Sequence, residues 1–324
     1  MEIFKPKVSV LMSIYNETES EILDSVWSII KQTYEAWELL IVNDNPNSLV
    51  YDGILSRVQK LDSRIRIIKN DHNMGLALSM NKAAKESKTD LLARMDADDI
   101  AETTRLENQI PYLLDEGYDF VCGRYIKIDE KGRLLYDGEL SEFFDENTLS
   151  SLLPLKSTIH HPTVIMTKEI FNKAGMYRDF PCTQDYDLWL RMHYLGARMV
   201  MANCCVLQYR VRETSVTIKH LVKQQFTKQY IRKLYIRRII RGMDDYSKSN
   251  YVKYLKKYIK NESVDNAIMH KGNEIITKAT KMIESGHKLK GYFLKYSTII
   301  TNRIYRIVYF NLVVDMVKIK IYEK

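Results

Sequence analysis

The chain has 324 residues, 45% of them hydrophobic, which is enough for one large or two moderate domains with a sizeable core. No uncharged apolar run reaches the ~18 residues that a bilayer-spanning helix needs, and the first seven residues lack the apolar stretch of a signal peptide. The net charge of +8 is split unevenly: residues 216–324 hold 24 Lys and Arg against 8 Asp and Glu, net +16, and residues 1–215 hold 25 against 33, net −8.

That asymmetry places a domain boundary near residue 215 and assigns different partners to 1–215 and 216–324. The four cysteines, Cys122, Cys182, Cys204 and Cys205, form no CxxC pair. They suggest a reducing compartment, with neither a disulfide framework nor a zinc site.

In chain order, residues 7–13 read as a buried strand. Thr18 and Glu21 fit a capping box. The helix that follows puts Ile22, Val26, Ile29 and Ile30 on one face, with Trp27 beside them. A second strand over 38–42 stops at Asn43-Asp44-Asn45-Pro46, a turn signal. A helix over about 51–61 leads to a strand over 65–68. Asn73-Met74-Gly75 then opens a helix through Lys85, and 90–95 is the fourth strand. This strand–helix alternation argues for an α/β fold with a mainly parallel sheet and right-handed crossovers. A helix between Thr103 and Gly117, a strand over 119–128, an apolar strand over 159–166 carrying His160-His161-Pro162, and a helix from Gln184 to about Leu195 follow.

The fourth strand ends in Asp96-Ala97-Asp98-Asp99, three carboxylates within four positions. Like charges so close raise one another's pKa unless a cation sits among them. A hard divalent ion bound by one or two carboxylates plus phosphate oxygens meets that need. The structural alternative is that Asp98 or Asp99 caps a helix beginning near Ile100. Ser13-Ile14-Tyr15-Asn16, Asn43-Asp44, Asn73 with Gly75, and the acidic turn all follow strands, so a parallel sheet gathers them on its ligand-binding edge.

These segments carry a family resemblance over roughly residues 6–215. Residues 8–17, VSVLMSIYNE, resemble the start of family 2 glycosyltransferases of the GT-A fold. Ile41-Val42-Asn43-Asp44-Asn45 resembles their nucleotide-contacting acidic turn, and residues 73–77 with Asn81 the next motif. Asp96-Ala97-Asp98-Asp99 resembles the DXD metal motif, residues 184–191 the acidic motif that supplies the base, and residues 209–215 the closing basic segment. Three departures stand out: Asn43 replaces a common second acid, Gln184 the usual Glu, and Met80 a frequent basic residue.

The resemblance implies a GT-A, Rossmann-like, mostly parallel sheet flanked by helices. It also implies inverting transfer of a sugar from a nucleotide diphosphosugar, with UDP the favoured nucleotide. In that reading Asp44 contacts the base, and Ser13, Ile14, Tyr15, Asn16, Asn73, Gly75 and Ala97 line the donor pocket. Asp96 faces ribose or metal, Asp98 coordinates Mn2+ or Mg2+, and Asp185 deprotonates the acceptor hydroxyl. Arg210 and Arg212 are donor-phosphate candidates, since arginine suits phosphate recognition. His160, His161, Gln184, Asp187 and Trp189 are candidate acceptor or phosphate contacts, set against local hydrogen bonding for the histidines and core packing for Trp189.

The region 216–324 reads as basic, Tyr-rich helices, around 229–238 and 251–260, with an interrupted apolar segment over 304–317. It is either a helical extension packed on the core or an attachment to an anionic membrane surface. Enzymes that resemble this chain often act on lipid-diphosphate-linked glycans in bacterial surface polysaccharide assembly, and the resemblance implies such an acceptor. The expected location is therefore cytoplasmic, peripheral on the inner face of the membrane. The rival functions are a nucleic-acid-binding protein, another nucleotide-dependent transferase and an inactive scaffold. No groove-reading motif and no Gly-rich phosphate loop appears, the carboxylate set is full, and no nucleic-acid partner is expected.

Overall fold

Seven residues without a charge, Val8–Ile14, form β1, and Trp37–Asn43, buried throughout, forms β2. They pair in parallel, Val8 opposite Trp37 and Ile14 opposite Asn43. Burial on both faces is why their central stretches, Val10-Leu11-Met12 and Leu39-Leu40-Ile41-Val42, are apolar without alternation. The computed structural model describes residues 7–212 and 220–322. Residues 1–6, the Glu213-Thr214-Ser215 end of the basic segment and the expected boundary at 215 lie outside the described residues.

Between these strands runs α1 (Glu19–Ile30), opened by the expected capping box at Thr18 and Glu21. Its Ile22, Val26 and Ile29 are fully buried, and Trp27 is exposed. α2 (Leu49–Val58), capped by Ser48, leads to β3 (Ile65–Lys69), parallel to β2. α3 (Leu76–Glu86) leads to β4 (Leu91–Arg94), parallel to β1.

The topology then changes. β5 (Ile100–Ala101), α4 (Arg105–Leu114), β6 (Phe120–Ile128), α5 (Glu146–Leu152), β7 (Ile165–Thr167), α6 (Lys168–Lys173), α7 (Gln184–Tyr194) and β8 (Met199–Arg210) complete the sheet. Its order is β3-β2-β1-β4-β7-β6-β8-β5. The sheet is mixed: β7 runs antiparallel between β4 and β6, β5 is antiparallel to β8, and β6 is parallel to β8.

Two local expectations are corrected. The strand foreseen over 159–166 is confined to β7, because His161–Thr163 is a 3-10 turn. Pro162 fixes φ there and offers no N–H to a ladder. Nor do Asp98 and Asp99 cap a helix at Ile100. That residue pairs with Gln208 as β5, Ala101 N donates to Ser28 Oγ (3.0 Å), and the next helix starts only at Arg105.

The chain divides into two compact units, Met1–Arg212 and Glu213–Lys324. The described part of the second is helical: α8 (Leu221–Arg241), α9 (Lys248–Tyr258), α10 (Glu262–Glu284), α11 (Lys288–Thr301) and α12 (Arg303–Tyr322). Val222, Phe226, Met269, Ile304 and Tyr305 form its core. A polar seam runs beside it. Gln229 Oε1 accepts from Asn311 (3.0 Å) and Tyr254 (3.4 Å), and Arg232 meets Asp315 at 3.4 Å. Gly291 lets α10 and α11 touch, because a Cβ there would stand 2.6 Å from Ile283 Cγ1 and 2.8 Å from the Ala279 carbonyl oxygen. No described helix is long and apolar enough to cross a membrane.

Candidate active site

The C-terminal ends of β1, β2 and β4 lie on one edge of the sheet, and hydrogen bonds tie their tips together. Asp44 N donates to Ile14 O (2.9 Å), Met95 N to Leu11 O (3.1 Å) and Asn45 Nδ2 to Tyr15 O (3.0 Å). Beyond β1, Tyr15 and Asn16 are exposed, with backbone N–H groups donating to Glu17 Oε2 at 2.8 and 3.2 Å.

Asp44 is buried and organises the next turn. Its Oδ1 accepts from Met74 N (2.7 Å) and Asn70 Nδ2 (2.8 Å), and its Oδ2 from Gly75 N (2.9 Å). Asn73 Oδ1 shares that last donor at 2.9 Å. Gly75 enters α3 at φ 79°, a backbone that a side chain would strain. Asp44 thus holds the 73–75 turn against the end of β2 with its own carboxylate.

The acidic turn follows β4. Asp96, Asp98 and Asp99 bring a carboxylate oxygen each within 4.8 Å of one another. Asp99 is fully buried, while Asp96 and Asp98 are partly open. Burial, then repulsion from Asp96 and Glu17, pushes the Asp98 carboxyl up to about 7 against the pull of Arg212. Burial first, then the neighbouring acids, lifts Asp99 well above the carboxylate range. Asp99 Oδ1 accepts Arg210 N (2.9 Å), and Asp99 Oδ2 has no partner among the described residues.

Fixed cations surround the turn. The buried Arg94 is paired with Asp96. The buried Arg105 lies below, its Nη2 donating to Arg94 O (2.8 Å), and burial lowers its pKa to about 9. Arg212 bridges Asp98 (3.0 Å) and the capping-box Glu21 (2.9 Å). Hard oxygen donors, two of them open, with an orphaned buried oxygen behind and a carboxyl pushed toward neutrality, suit a divalent cation such as Mg2+ or Mn2+.

Arg210 is placed differently from the expectation. Its guanidinium is buried and donates to Asp98 O (2.7 Å), Glu130 O (2.9 Å) and Asp24 Oδ2 (3.3 Å). It fastens the acidic turn to α1 and to the turn that follows β6, and those contacts keep it from reaching a phosphate. Ala97 is buried within the turn, and Ser13 is half-buried at the end of β1.

α7 begins after Thr183, a β-branched residue held at φ 59°. Such a backbone persists only where its surroundings impose it, and it clusters at functional sites. Asp185, in the first turn, is half-buried. Asp187 is buried between Arg191 (2.8 Å) and Arg178 (3.4 Å), which removes it from the candidates for a free acceptor contact or base. Trp189 is fully buried, edge-on to Phe120 at 4.7 Å, so it is core and no acceptor contact. Gln184 is buried too.

The histidines sit between these motifs. His160 stacks on Tyr125 (4.5 Å) and lies edge-on to Tyr209 (4.3 Å), and burial lowers its pKa to about 4. His161 Nε2 meets Tyr177 Oη at 2.7 Å, and burial also holds it neutral. Asn81 clamps the Tyr177 backbone, donating to its carbonyl (2.8 Å) and accepting from its N–H (2.9 Å). Burial holds the Tyr177 phenol well above its ordinary range, and the Asp185 charge pushes it the same way.

Sequence reasoning passed over Glu17, Arg94, Arg105 and Tyr209. A signal existed for Arg94: a lone cation inside an apolar strand that runs into three acids. Arg105 had none beyond an ordinary place in a helix.

Comparisons with known proteins give the family and the fold. The sequence model described as Glycosyl transferase family 2 matches residues 9–175. An uncharacterized glycosyltransferase of Methanocaldococcus jannaschii is 31% identical over 230 residues, which are 71% of this chain and 79% of the relative. The O-antigen biosynthesis glycosyltransferase WbnJ of Escherichia coli is 29% identical over 210 residues, 64% of this chain and 81% of that one. Among solved structures, S. aureus TarS in complex with UDP-GlcNAc superposes with a TM-score of 0.57 at 16% identity, covering 83% of this chain and 80% of that chain. Against a longer TarS chain the TM-score is 0.55, and the match covers 43% of it. The sheet and its flanking helices are thus those of a GT-A glycosyltransferase. With its family segment laid across the three linked strand tips and the acidic turn, this chain belongs to glycosyl transferase family 2.

Proposed function

We propose that this glycosyltransferase transfers a sugar, with inversion, from a UDP-sugar to a hydroxyl of a lipid-diphosphate-linked glycan in bacterial polysaccharide assembly. The observation that carries the reading is the group of three carboxylates within 4.8 Å at the sheet edge of a family 2 chain. The relative named for O-antigen biosynthesis and the fold neighbour solved with UDP-GlcNAc support the substrate class.

Asp96 and Asp98 would hold Mg2+ or Mn2+, whose chemistry there is neutralisation of the charge developing on the departing diphosphate. Arg94 and Arg105 keep the turn folded while its outer acids stay open. Arg212, between Glu21 and Asp98, adds a cation at the rim. Ser13 to Asn16, the Asp44-held turn at Asn73 and Gly75, and Ala97 bound the donor pocket. Asp185 accepts the acceptor hydroxyl proton as that oxygen attacks the anomeric carbon. A sugar hydroxyl is a weak nucleophile, and a carboxylate within hydrogen-bond reach assists it. One base with no protein nucleophile corresponds to a single displacement, hence inversion. His160 and Gln184 lie beside the acceptor.

The second unit, with its positive balance, attaches the enzyme to the anionic inner face of the cell membrane, where such an acceptor resides. The decisive experiment screens a panel of UDP-sugars for UDP release with Mn2+, Mg2+ and EDTA. Release with one donor that EDTA abolishes is the expected result, and no metal-dependent release across the panel would falsify the assignment.

A further inference from the structure

Two helices of the second unit leave an apolar stripe uncovered. On α11, Leu289, Tyr292, Phe293, Tyr296 and Ile300 are exposed, Leu289 at 89% and Phe293 at 77%. Their spacing of i, i+3, i+4, i+7 and i+11 puts them on one face. At 100° per residue, Lys290 flanks one side of that face and Lys288 with Lys295 the other. On α12, Phe310, Val313, Val317 and Ile321 repeat the pattern, with Phe310 at 69% and Val317 at 53%, and Lys318 and Lys320 flank them.

Charge selects the occupant. Residues 288–322 contain seven basic side chains and one acid, Asp315, and that acid is buried and paired with Arg232. The exposed surface of both helices is therefore apolar and cationic, with no exposed carboxylate. Lysine stems can lie along apolar surface while their ammonium groups reach outward, and tyrosines suit a boundary that is apolar on one side and wet on the other. Neither helix is apolar enough to span a bilayer. A helix with an apolar face, a cationic flank and low mean hydropathy lies in the interface plane.

We infer that α11 and α12 insert their apolar stripes into the headgroup–acyl boundary of an anionic bilayer. This rests on the membrane attachment proposed above and changes its nature. Attachment has an apolar part that salt cannot screen, and the lysines supply orientation and lipid selectivity.

The test uses the full chain and vesicles of phosphatidylcholine with or without phosphatidylglycerol. Sedimentation is read at low ionic strength and at about 1 M salt, where the Debye length falls to about 3 Å. The wild type binds anionic vesicles under both conditions. Leu289→Ser/Phe293→Ser and Phe310→Ser/Val317→Ser bind at low salt and fall about tenfold or more at high salt, as loss of apolar contact requires. Because these residues are exposed, circular dichroism and melting temperature stay unchanged. Phe293→Trp keeps the stripe, and bromine-labelled lipid quenches its fluorescence.

Retention of the serine variants at high salt, or Phe293→Trp left unquenched, overturns the insertion. Wild type held at low salt and released by high salt overturns insertion alone and leaves electrostatic attachment standing. Wild type that ignores anionic vesicles at low salt overturns both. A wild-type oligomer that the serine substitutions split into monomers, with vesicle binding unchanged, makes the stripes an interface between copies and also overturns the insertion.

Discussion

The two edges of the parallel half both bury carboxylates, and they are wired in opposite ways. At the N-terminal edge Glu38, in β2, accepts Ser9 Oγ (2.6 Å) and Lys88 N (2.8 Å) and pairs with Arg66 (3.2 Å). Ser9 in turn meets Thr89 at 2.7 Å, so the starts of β1, β2 and β4 are closed into one network. At the C-terminal edge Asp96, Asp98 and Asp99 bring a carboxylate oxygen each within 4.8 Å of one another, with one Asp99 oxygen unpartnered among the described residues and the Asp98 carboxyl pushed up to about 7. A charge answered locally is structural. Three carboxylates crowded together, even with Arg94 paired to Asp96 and Arg212 to Asp98, cost stability and mark the place where a further cation completes the balance.

The comparison can be broken most sharply at Asp98. Asp98→Ala should lower UDP release by about 10³-fold or more, since it removes an electrostatic contact made to the departing group. The melting temperature in metal-free buffer should hold or rise, because a repelled carboxylate is gone. Lost stability with retained turnover would show that Asp98 is wired like Glu38.

Asp185 and Asp187 differ in burial within one helix: Asp185 is half-buried, and Asp187 is buried between Arg191 and Arg178. Asp185→Asn should cut transfer by about 10²–10⁴-fold while calorimetric donor affinity is kept. Asp187→Asn leaves Arg191 and Arg178 without their buried anion and should cost about 3 kcal/mol in chemical denaturation. If Asp187→Asn stayed stable, bound donor and failed to transfer, the base would be Asp187.

Glu38→Ala supplies the converse. It takes the acceptor from Lys88 N and one of the partners from both Arg66 and the Ser9 hydroxyl, with an expected loss of about 1–3 kcal/mol. The fraction still folded should show unchanged kcat and KM, and a changed KM would mean that the two edges communicate.

The smallest effect is a pH slope. Asp98 keeps its proton in the folded state up to about 7, against an ordinary value of 3.8. Its contribution to stability is therefore complete below the lower value and lost as pH rises through the upper one. Without metal, the melting temperature of the wild type should decline across that window more than that of Asp98→Asn. Added Mn2+ should raise it more above pH 7 than near pH 5, because in acid the ion must displace a proton. Parallel curves for the two proteins would remove Asp98 as the source.

Much of this molecule was legible in one dimension. The capping box at Thr18, the apolar centres of β1 and β2, and the Asp96-Ala97-Asp98-Asp99 turn are local patterns, set by neighbours within a few residues. Period, caps and turn chemistry act at that range, so the strand–helix alternation and the family of the acidic turn follow from them. The mixed sheet was less accessible. β7 is only three residues long and sits behind a proline turn, so its direction depends on the partners beside it.

Contacts across long stretches of chain were out of reach. Arg210 resembles a phosphate ligand until the fold places it against Asp24, Asp98 and Glu130, and Asp187 resembles a second base until Arg191 and Arg178 close over it. From sequence alone came the elements, the acidic turn and the division of charge between the halves. Which carboxylates stay open, which arginines are already engaged and which helix faces remain bare were decided only by tertiary packing, because pairing and burial depend on residues that meet in space from distant points of the chain.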